Sequence, residues 1–310
     1  PIEAVNLMVN RLRSATGFEI IPTSEAMGRI LSQNILSTEN LPSVQRSTMD
    51  GIAVRAIDTF GATENLPAYL QIVDEVFMGI EPQIFLNQGE AVKTYTGSML
   101  VDGADAVVMI ENTQTVDQSI TEIFKPVSAG ENVIQVGEDI KIGETILESG
   151  TLIRPQDIGG LIALGITELP VHKKPNVAII STGDELIHPA KRPSPAQIRD
   201  INTYTISALT VEAGANPIQV GIVEDSIDKQ LQSAKNALNQ CDLLVFSAGS
   251  SVSSRDITVK VINKLGEPGV LVHGISFKPG KPTILAMIGD KPIIGLPGNP
   301  VSASVVYKMI

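Results

Sequence analysis

The chain of 310 residues contains no tryptophan, four tyrosines, seven phenylalanines, three histidines and a single cysteine. Each scarcity removes a class of function. With aromatic residues at 4%, there is little on which nucleic-acid bases could stack. Cys241 has no partner for an internal disulfide, and its place ahead of Asp242 at a strand entry suits a small buried hydrophobe. His172, His188 and His273 are scattered without ligand spacing, which argues against a zinc site. Positive charge is also in deficit: 23 Lys and Arg against 34 Asp and Glu give a formal charge of −11. That is the wrong sign for wrapping nucleic acid or lying on an anionic membrane. No apolar run approaches the roughly 18 residues of a spanning helix. The amphipathic start, with Ile2, Val5, Met8, Val9 and Leu12 at helical spacing, lacks the charged, apolar and small-residue order of a signal peptide. These absences lead us to expect a cytoplasmic protein with neither a nucleic-acid nor a membrane partner.

What is present is core. At 43% hydrophobic, the chain can bury a sizeable interior, and its length allows two or three domains. After the opening helix, Thr23-Ser24-Glu25-Ala26 reads as the start of a second short one. From Ile35 to about Val127 the pattern changes to short alternating or β-branched runs: Ile52–Val54, Leu70–Val73, Ala91–Tyr95, Ala106–Ile110 and Ile120–Phe124. Glycine, proline and asparagine punctuate them closely, as in an all-β module. Residues 132–172 return to glycine-rich turns with one helix near Pro155–Leu164. Beyond Lys173-Lys174-Pro175 the spacing predicts strand, helix, strand, helix, strand: Asn176–Ser181, Thr203–Ala213, Ile218–Ile222, Ser226–Leu238 and Leu243–Phe246. That order implies a parallel sheet with right-handed crossovers. The expected division is therefore 1–33 with 132–172 as one discontinuous domain for linkage and dimerisation, 34–131 as an inserted β-rich domain, and 173–310 as an α/β domain.

The last third carries the chemistry. A strand ending in Phe246 runs into the small-residue loop Ser247–Ser254 and then a helix with Ile257, Val261 and Leu265 on one face. Backbone N–H groups in such a loop converge at the positive end of a helix and favour an anion. Leu296-Pro297-Gly298-Asn299-Pro300 ahead of another helix repeats the arrangement. Between them, Lys278 and Lys281 stand three apart in a Pro-Gly turn. Two anion cradles and two fixed ammonium groups point to a polyphosphate or oxyanion ligand, although either loop alone would pass as turn chemistry. In a parallel sheet the loops after the strands share one edge. Glu185, Asp225 and Asp256 fall on such loops, and carboxylates beside a phosphate suit a hard divalent cation. Asp256 is equally well placed as a helix cap. In the β module, Ser47-Thr48-Met49-Asp50-Gly51 and Thr94-Tyr95-Thr96-Gly97-Ser98 read alone as turns, Asp-Gly being a common hairpin signal.

Taken together and in order, S-T-M-D-G-I-A-V, T-G-S-M-L-V-D-G-A-D-A-V-V, S-T-G-D-E-L, S-A-G-S-S-V-S-S-R-D, K-P-G-K-P and G-L-P-G-N-P-V-S-A resemble the MoeA family of molybdopterin molybdenumtransferases and the E domain of gephyrin. The resemblance implies a MogA-like α/β domain with a parallel-rich sheet, a β-rich domain inserted into a discontinuous domain, and a homodimer. The family's C-terminal β-barrel would have no counterpart in these residues. It implies insertion of molybdate into adenylylated molybdopterin with release of AMP, Mg²⁺ as cofactor, and a small pterin and an oxyanion as ligands. Molybdoenzymes and other cofactor-synthesis proteins are further partners of the kind it suggests.

Carried onto this chain, Ser247, Gly249, Ser251, Lys278, Lys281, Pro282, Pro297, Asn299 and Pro300 would line the pterin-phosphate and molybdate region. Glu185, Asp225 and Asp256 would hold the metal or handle the attacking water. Asp50 and Thr96 would complete the site from the neighbouring subunit. One loop departs from the family pattern S-G-G-x-S-x-G-x-x-D: Ala248 and Ser253 stand where glycines are usual. Side chains there crowd a phosphate approach. A binding or scaffold homologue with impaired turnover therefore stays open beside the enzyme, as does a pterin adenylyltransferase. Nothing in the residues chooses molybdate over tungstate.

Overall fold

We describe the fold from a computed structural model covering residues 2–12, 16–117, 119–247 and 252–310, with only the backbone considered at 252–256. The chain forms two compact units: residues 1–32, 152–158 and 168–310 in one, residues 33–151 and 159–167 in the other.

The first unit is built on a six-stranded sheet. Its strands are β1 (Asn176–Thr182), β2 (Asn216–Val223), β3 (Leu243–Ser247), β4 (Pro268–His273), β5 (Ile284–Ile288) and β6 (Lys291–Leu296). Its helices are α1 (Asn202–Glu212), α2 (Ile227–Leu238), α3 (Val252–Leu265) and α4 (Pro300–Met309). The spatial order is β2-β1-β3-β6-β5-β4. β1 pairs in parallel with β2 and β3, and β3 in parallel with β6, whereas β5 runs antiparallel to both β6 and β4. The parallel half follows from the alternation of strands and helices. The antiparallel extension does not, because its strands arrive as a hairpin of β5 and β6 with no helix between them.

Alternate residues feed two cores. Val177, Ile179, Val245, Leu285 and Ile294 pack with Met8, Ile206 of α1 and Val306 of α4. Ala178, Ile180, Leu244, Phe246 and Ile293 pack with Ala234 of α2 and Val261 of α3. Strands covered on both faces read as unbroken apolar runs, as β1 does. In the same unit Phe18–Pro22 pairs antiparallel with Glu168–His172, a ladder joining two segments whose sequences do not announce strands. The expected second helix is a single 3₁₀ turn, Thr23–Glu25, and the opening helix spans Ile2–Val9.

The second unit carries a mixed six-stranded sheet in the order Ala106–Met109, Gly51–Val54, Glu90–Thr94, Ala68–Val76, Ile120–Ile123, Thr113–Thr115. Ile52 and Val108 face one core, Ala53 and Val107 the other. Two short ladders, Val133–Ile134 with Arg46–Ser47 and Thr145–Leu147 with Ile35–Leu36, tie the segment after residue 132 to this unit. The compact units therefore divide differently from the expected domains, since backbone pairing draws 33–151 together. Gly51 does not form a hairpin turn. It opens a strand paired on both sides, and a Cβ there would stand 2.0 Å from the Val108 carbonyl oxygen.

Candidate functional site

The chain leaves β1 for β2 on one side and later places β3 on the other, so a crevice opens at the carboxyl ends of β1 and β3. A cavity of about 430 Å³ lies there, bounded by Thr182 at the end of β1, Ser247 at the end of β3, and Gly298 to Pro300 between β6 and α4. Asp200 and Asn202, at the start of α1, form its remaining polar wall with Glu185.

Asn202 is 9% exposed. Its amide nitrogen donates to Ser247 Oγ at 2.8 Å and to the Gly298 carbonyl at 2.9 Å. A carbonyl only accepts, so this contact fixes which way the amide points. Asn202 Oδ1 is then buried with no hydrogen-bond partner among the described residues, as is Thr182 Oγ1 nearby. Asp200, also buried, accepts from Ser181 Oγ at 3.1 Å and from the Thr203 N–H and hydroxyl at 3.1 and 2.6 Å. It anchors the first turn of α1 in the manner of a capping carboxylate.

Glu185 is half-buried at the cavity's edge. Its carboxylate crosses over Gly183, whose φ is +146°, and a Cβ at that glycine would lie 2.7 Å from Glu185 Oε2. The same loop reaches the end of β2: Asp184 Oδ1 accepts from the Asp225 N–H at 3.1 Å. Gln230, fully buried on α2, reaches back to Asp225 Oδ1 at 3.4 Å and to the Glu224 carbonyl at 3.3 Å.

The Pro-Gly-Asn-Pro loop is less open to an anion than its sequence suggests. Asn299 is the N-cap of α4, its Oδ1 accepting from the Ser302 N–H at 3.2 Å and the Ser302 hydroxyl at 3.3 Å. Pro300, at the first helical position, has no N–H. Of the first three helical residues only Val301 keeps a backbone donor unassigned among the described contacts. Lys278 and Lys281 lie in the connection from β4 to β5. β4 runs the same way as β6, so this turn sits at the carboxyl edge of the sheet. A Cβ at Gly280, where φ is +129°, would stand 2.3 Å from Val306 of α4, so glycine lets the turn close against that helix. Both lysines are exposed and form no salt bridge among the described residues.

In the second unit Asp50 and Thr96 meet directly. Asp50 Oδ1 accepts from the Thr96 N–H at 2.7 Å and from its hydroxyl at 2.8 Å. The backbone bond first, then the hydroxyl, hold this exposed carboxyl below the ordinary aspartate range. Arg46 Nη1 donates to the Gly97 carbonyl at 2.8 Å and steadies the turn.

Residues 2–165 match the MoeA N-terminal region (domain I and II), and residues 178–310 match the probable molybdopterin binding domain. The chain belongs to the MoeA family. It is 33% identical over 294 residues to the molybdopterin molybdenumtransferase of Bacillus subtilis, covering 94% of this chain and 68% of that protein. The corresponding figures for the Haemophilus influenzae molybdopterin molybdenumtransferase are 35% over 311 residues, 99% and 74%. The crystal structure of a molybdopterin biosynthesis MoeA protein from Pyrococcus horikoshii superposes with a TM-score of 0.86 at 36% identity, over 99% of this chain and 76% of that one.

Of the residues expected from the MoeA resemblance, Glu185, Ser247, Asn299 and Pro300 line the cavity, and Asp50 and Thr96 are hydrogen-bonded to each other. Lys278, Lys281, Pro282, Pro297 and Asp225 are not among the described lining residues. Gly249 and Ser251 lie outside the described residues, as do Ala248 and the side chains of Ser253 and Asp256. Thr182 opens the Thr182–Glu185 loop expected at the site, whereas sequence reasoning missed Asp200 and Asn202. The signal for the last two was present in Arg199-Asp200-Ile201-Asn202, an Asp and an Asn at the mouth of a helix. No helix among the described residues is long and apolar enough to cross a membrane.

Proposed function

We propose that this chain inserts molybdate into adenylylated molybdopterin and releases AMP. The observation that carries the reading is the cavity at the switch point of a MoeA-family α/β unit, edged by Glu185 and Ser247 and flanked along the sheet edge by two lysines outside any described salt bridge. Hydrolysis of the phosphoanhydride consumes one water and yields AMP and the molybdopterin phosphate. Lys278 and Lys281 are the cations available to the phosphates and to molybdate, as charge-assisted donors. Glu185, Asp225 and Asp256 are the oxygen donors for Mg²⁺, which when bound would shield phosphate charge from these carboxylates.

The fit to that ion is chemical. Glu185 and Asp225 offer hard carboxylate oxygens, while no group of three His, Cys, Asp or Glu side chains converges among the described residues. Mg²⁺ keeps several waters and takes one or two carboxylates, so a sparse set is sufficient. In this reading Asp184 and Gln230 position Asp225 by holding its backbone and its carboxylate. Asp50, kept ionised by Thr96, serves the site from the partner of a two-fold homodimer, closed pairing being the usual solution for such a shared site. The match over residues 2–165 is more than a pterin adenylyltransferase built on the α/β unit alone would need.

The test is direct. Purified protein incubated with adenylylated molybdopterin, molybdate and Mg²⁺ should release AMP, and omitting molybdate should suppress it. AMP release that never exceeds the protein-free control ends the proposal.

A further inference from the structure

Among the described residues, Asn132 is the non-glycine residue with a positive φ, +59°. A side chain in the left-handed region is strained, and asparagine tolerates it better than most. Such a conformation persists where its surroundings over-determine it, and what surrounds Asn132 is the segment that carries Asp50. The Asn132 carbonyl accepts the Thr48 N–H at 3.0 Å, and its Nδ2 donates to the Val107 carbonyl at 2.8 Å. Val133, the next residue, pairs with Ser47. Asn132 therefore holds the segment from Thr48 to Gly51 at both ends. The first end it binds directly; the second it reaches through the strand Ala106–Met109, where Met109 pairs with Gly51 and the Ile110 N–H donates to the Asp50 carbonyl at 3.0 Å.

The segment that carries Thr96 is fixed from within. Ser98, fully buried, accepts the Tyr95 N–H at 3.2 Å, and its hydroxyl lies 2.6 Å from Thr94 Oγ1. The two segments are latched together: the Ser47 N–H donates to the Ser98 carbonyl at 3.0 Å, and the Gly97 N–H to the Ser47 carbonyl at 2.8 Å. All of this order converges on one exposed carboxylate, whose Oδ2 has no hydrogen bond among the described residues. Capping the Thr96 turn needs one oxygen. Holding the second at a set angle needs the rest.

We propose that Asn132 is a positioning residue for the reaction, its left-handed backbone setting the direction in which Asp50 presents Oδ2. The inference rests on the reading that Asp50 serves the site, and deepens it by naming what holds the carboxylate in place. Backbone conformation and side-chain tether separate on substitution. Asn132→Gly keeps the left-handed turn and loses the tether to Val107, whereas Asn132→Ala loses the same tether and strains the turn as well.

The experiment follows the Asp50 carboxyl by NMR titration of the full chain, at a temperature where each variant is folded. In Asn132→Ala the Thr96 donors lose their alignment, so Asp50 should titrate nearer the ordinary aspartate range than in the parent. In Asn132→Gly it should titrate close to the parent, although both variants lack the same bond. Arg46 bonds to Gly97 and Glu75 to Tyr95, so the titration reports on Thr96. A merely structural Asn132 would lower the melting temperature of both variants and leave Asp50 unmoved. In the AMP-release assay Asn132→Ala should lose about tenfold in kcat with KM little changed, as misplacement of a positioned group predicts, and Asn132→Gly should recover most of that loss. Unchanged Asp50 titration in Asn132→Ala overturns the proposal, as does an equal shift in Asn132→Gly, or unchanged AMP release where the titration has moved. Where Asn132→Ala does not fold, hydrogen exchange in the parent decides. The Thr48 and Thr96 amides should open together, and exchange at Thr96 faster by about tenfold or more overturns the proposal. A parent that releases AMP while Asp50 ignores Asn132 loses this inference and keeps the proposed function. A parent that releases no AMP loses the proposed function, and the contrast between the alanine and glycine titrations still shows what holds Asp50.

Discussion

The cavity of the α/β unit and the Asp50–Thr96 pair of the β-rich unit are both polar sites, but they are prepared in opposite ways. Around the cavity, the Thr182 hydroxyl and the Asn202 amide oxygen are buried without partners among the described residues, so part of the wall's hydrogen-bonding capacity is unspent there. At Asp50 the carboxylate is exposed and already takes two donors from one residue. The first arrangement leaves polar atoms unspent among the described residues. The second fixes a charge in advance, independent of any ligand. A buried acceptor gives selectivity because its alternative is to remain unpaired, whereas an exposed carboxylate always has water. Steric preparation differs as well: Gly51 beside Asp50 is locked by the backbone of a neighbouring strand, while Gly183 is crowded by the Glu185 side chain and set at a φ of +146°.

The largest effect expected from this contrast is at Gly51. Gly51→Ala should destabilise the protein by on the order of 3 kcal/mol, because the new Cβ must displace the strand Ala106–Met109. Gly183→Ala, where the Glu185 carboxylate can swing away but the φ of +146° strains a side chain, should cost less, about 1 kcal/mol or somewhat more, and act on the site as well. Urea unfolding of both variants checks the ranking, and equal losses would mean that the two glycines are alike.

Lys278→Ala and Lys281→Ala should each weaken a phosphate-bearing pterin by roughly 1.5–3 kcal/mol, the usual worth of a charge-assisted hydrogen bond. A neutral pteridine should bind these variants as it binds the parent. Calorimetric titration with both ligands separates contacts to the phosphate from contacts to the ring, and parallel losses would merge them.

A smaller effect belongs to Asn299. Asn299→Ala removes the cap of α4 and should cost about 1 kcal/mol of stability. The change also frees the Ser302 N–H, so phosphate affinity should rise slightly even as the melting temperature falls. Falling affinity instead would make Asn299 a ligand contact in its own right.

The smallest concerns Asp50. Its folded pKa is depressed, so its contribution to stability is fully present above the ordinary aspartate value and is lost as pH falls through the folded pKa. Thr96→Val removes the hydroxyl but keeps the N–H, which is the larger cause of the shift. The Asp50 carboxyl, followed by NMR, should therefore titrate only part of the way back toward its ordinary value, and stability should change in the acid range alone.

Much of the scaffold is legible in the chain itself. The run Asn176–Ser181 and the helical spacings of Thr203–Ala213 and Ser226–Leu238 give their element types correctly, because strand and helix impose local periods of two and 3.6 on apolar residues. The order of the six motifs points to the MoeA family by itself. Less visible are pairings between distant segments: Phe18–Pro22 with Glu168–His172, and Arg46–Ser47 with Val133–Ile134. Strands of two to five residues carry too little periodicity to announce a partner more than eighty residues away.

The sequence by itself determined the composition, the acidic balance, the βα alternation and the motifs that define the family, since each is a property of neighbours along the chain. Only the tertiary structure decided that Asn299 closes a helix rather than opening an anion site, that Asp50 and Thr96 touch, and that Thr182 and Asn202 line one cavity. The physical reason is that a polar atom's function depends on which of its hydrogen bonds are already made. Apart from the local bond between Asn299 and Ser302, those bonds join residues that the sequence keeps apart.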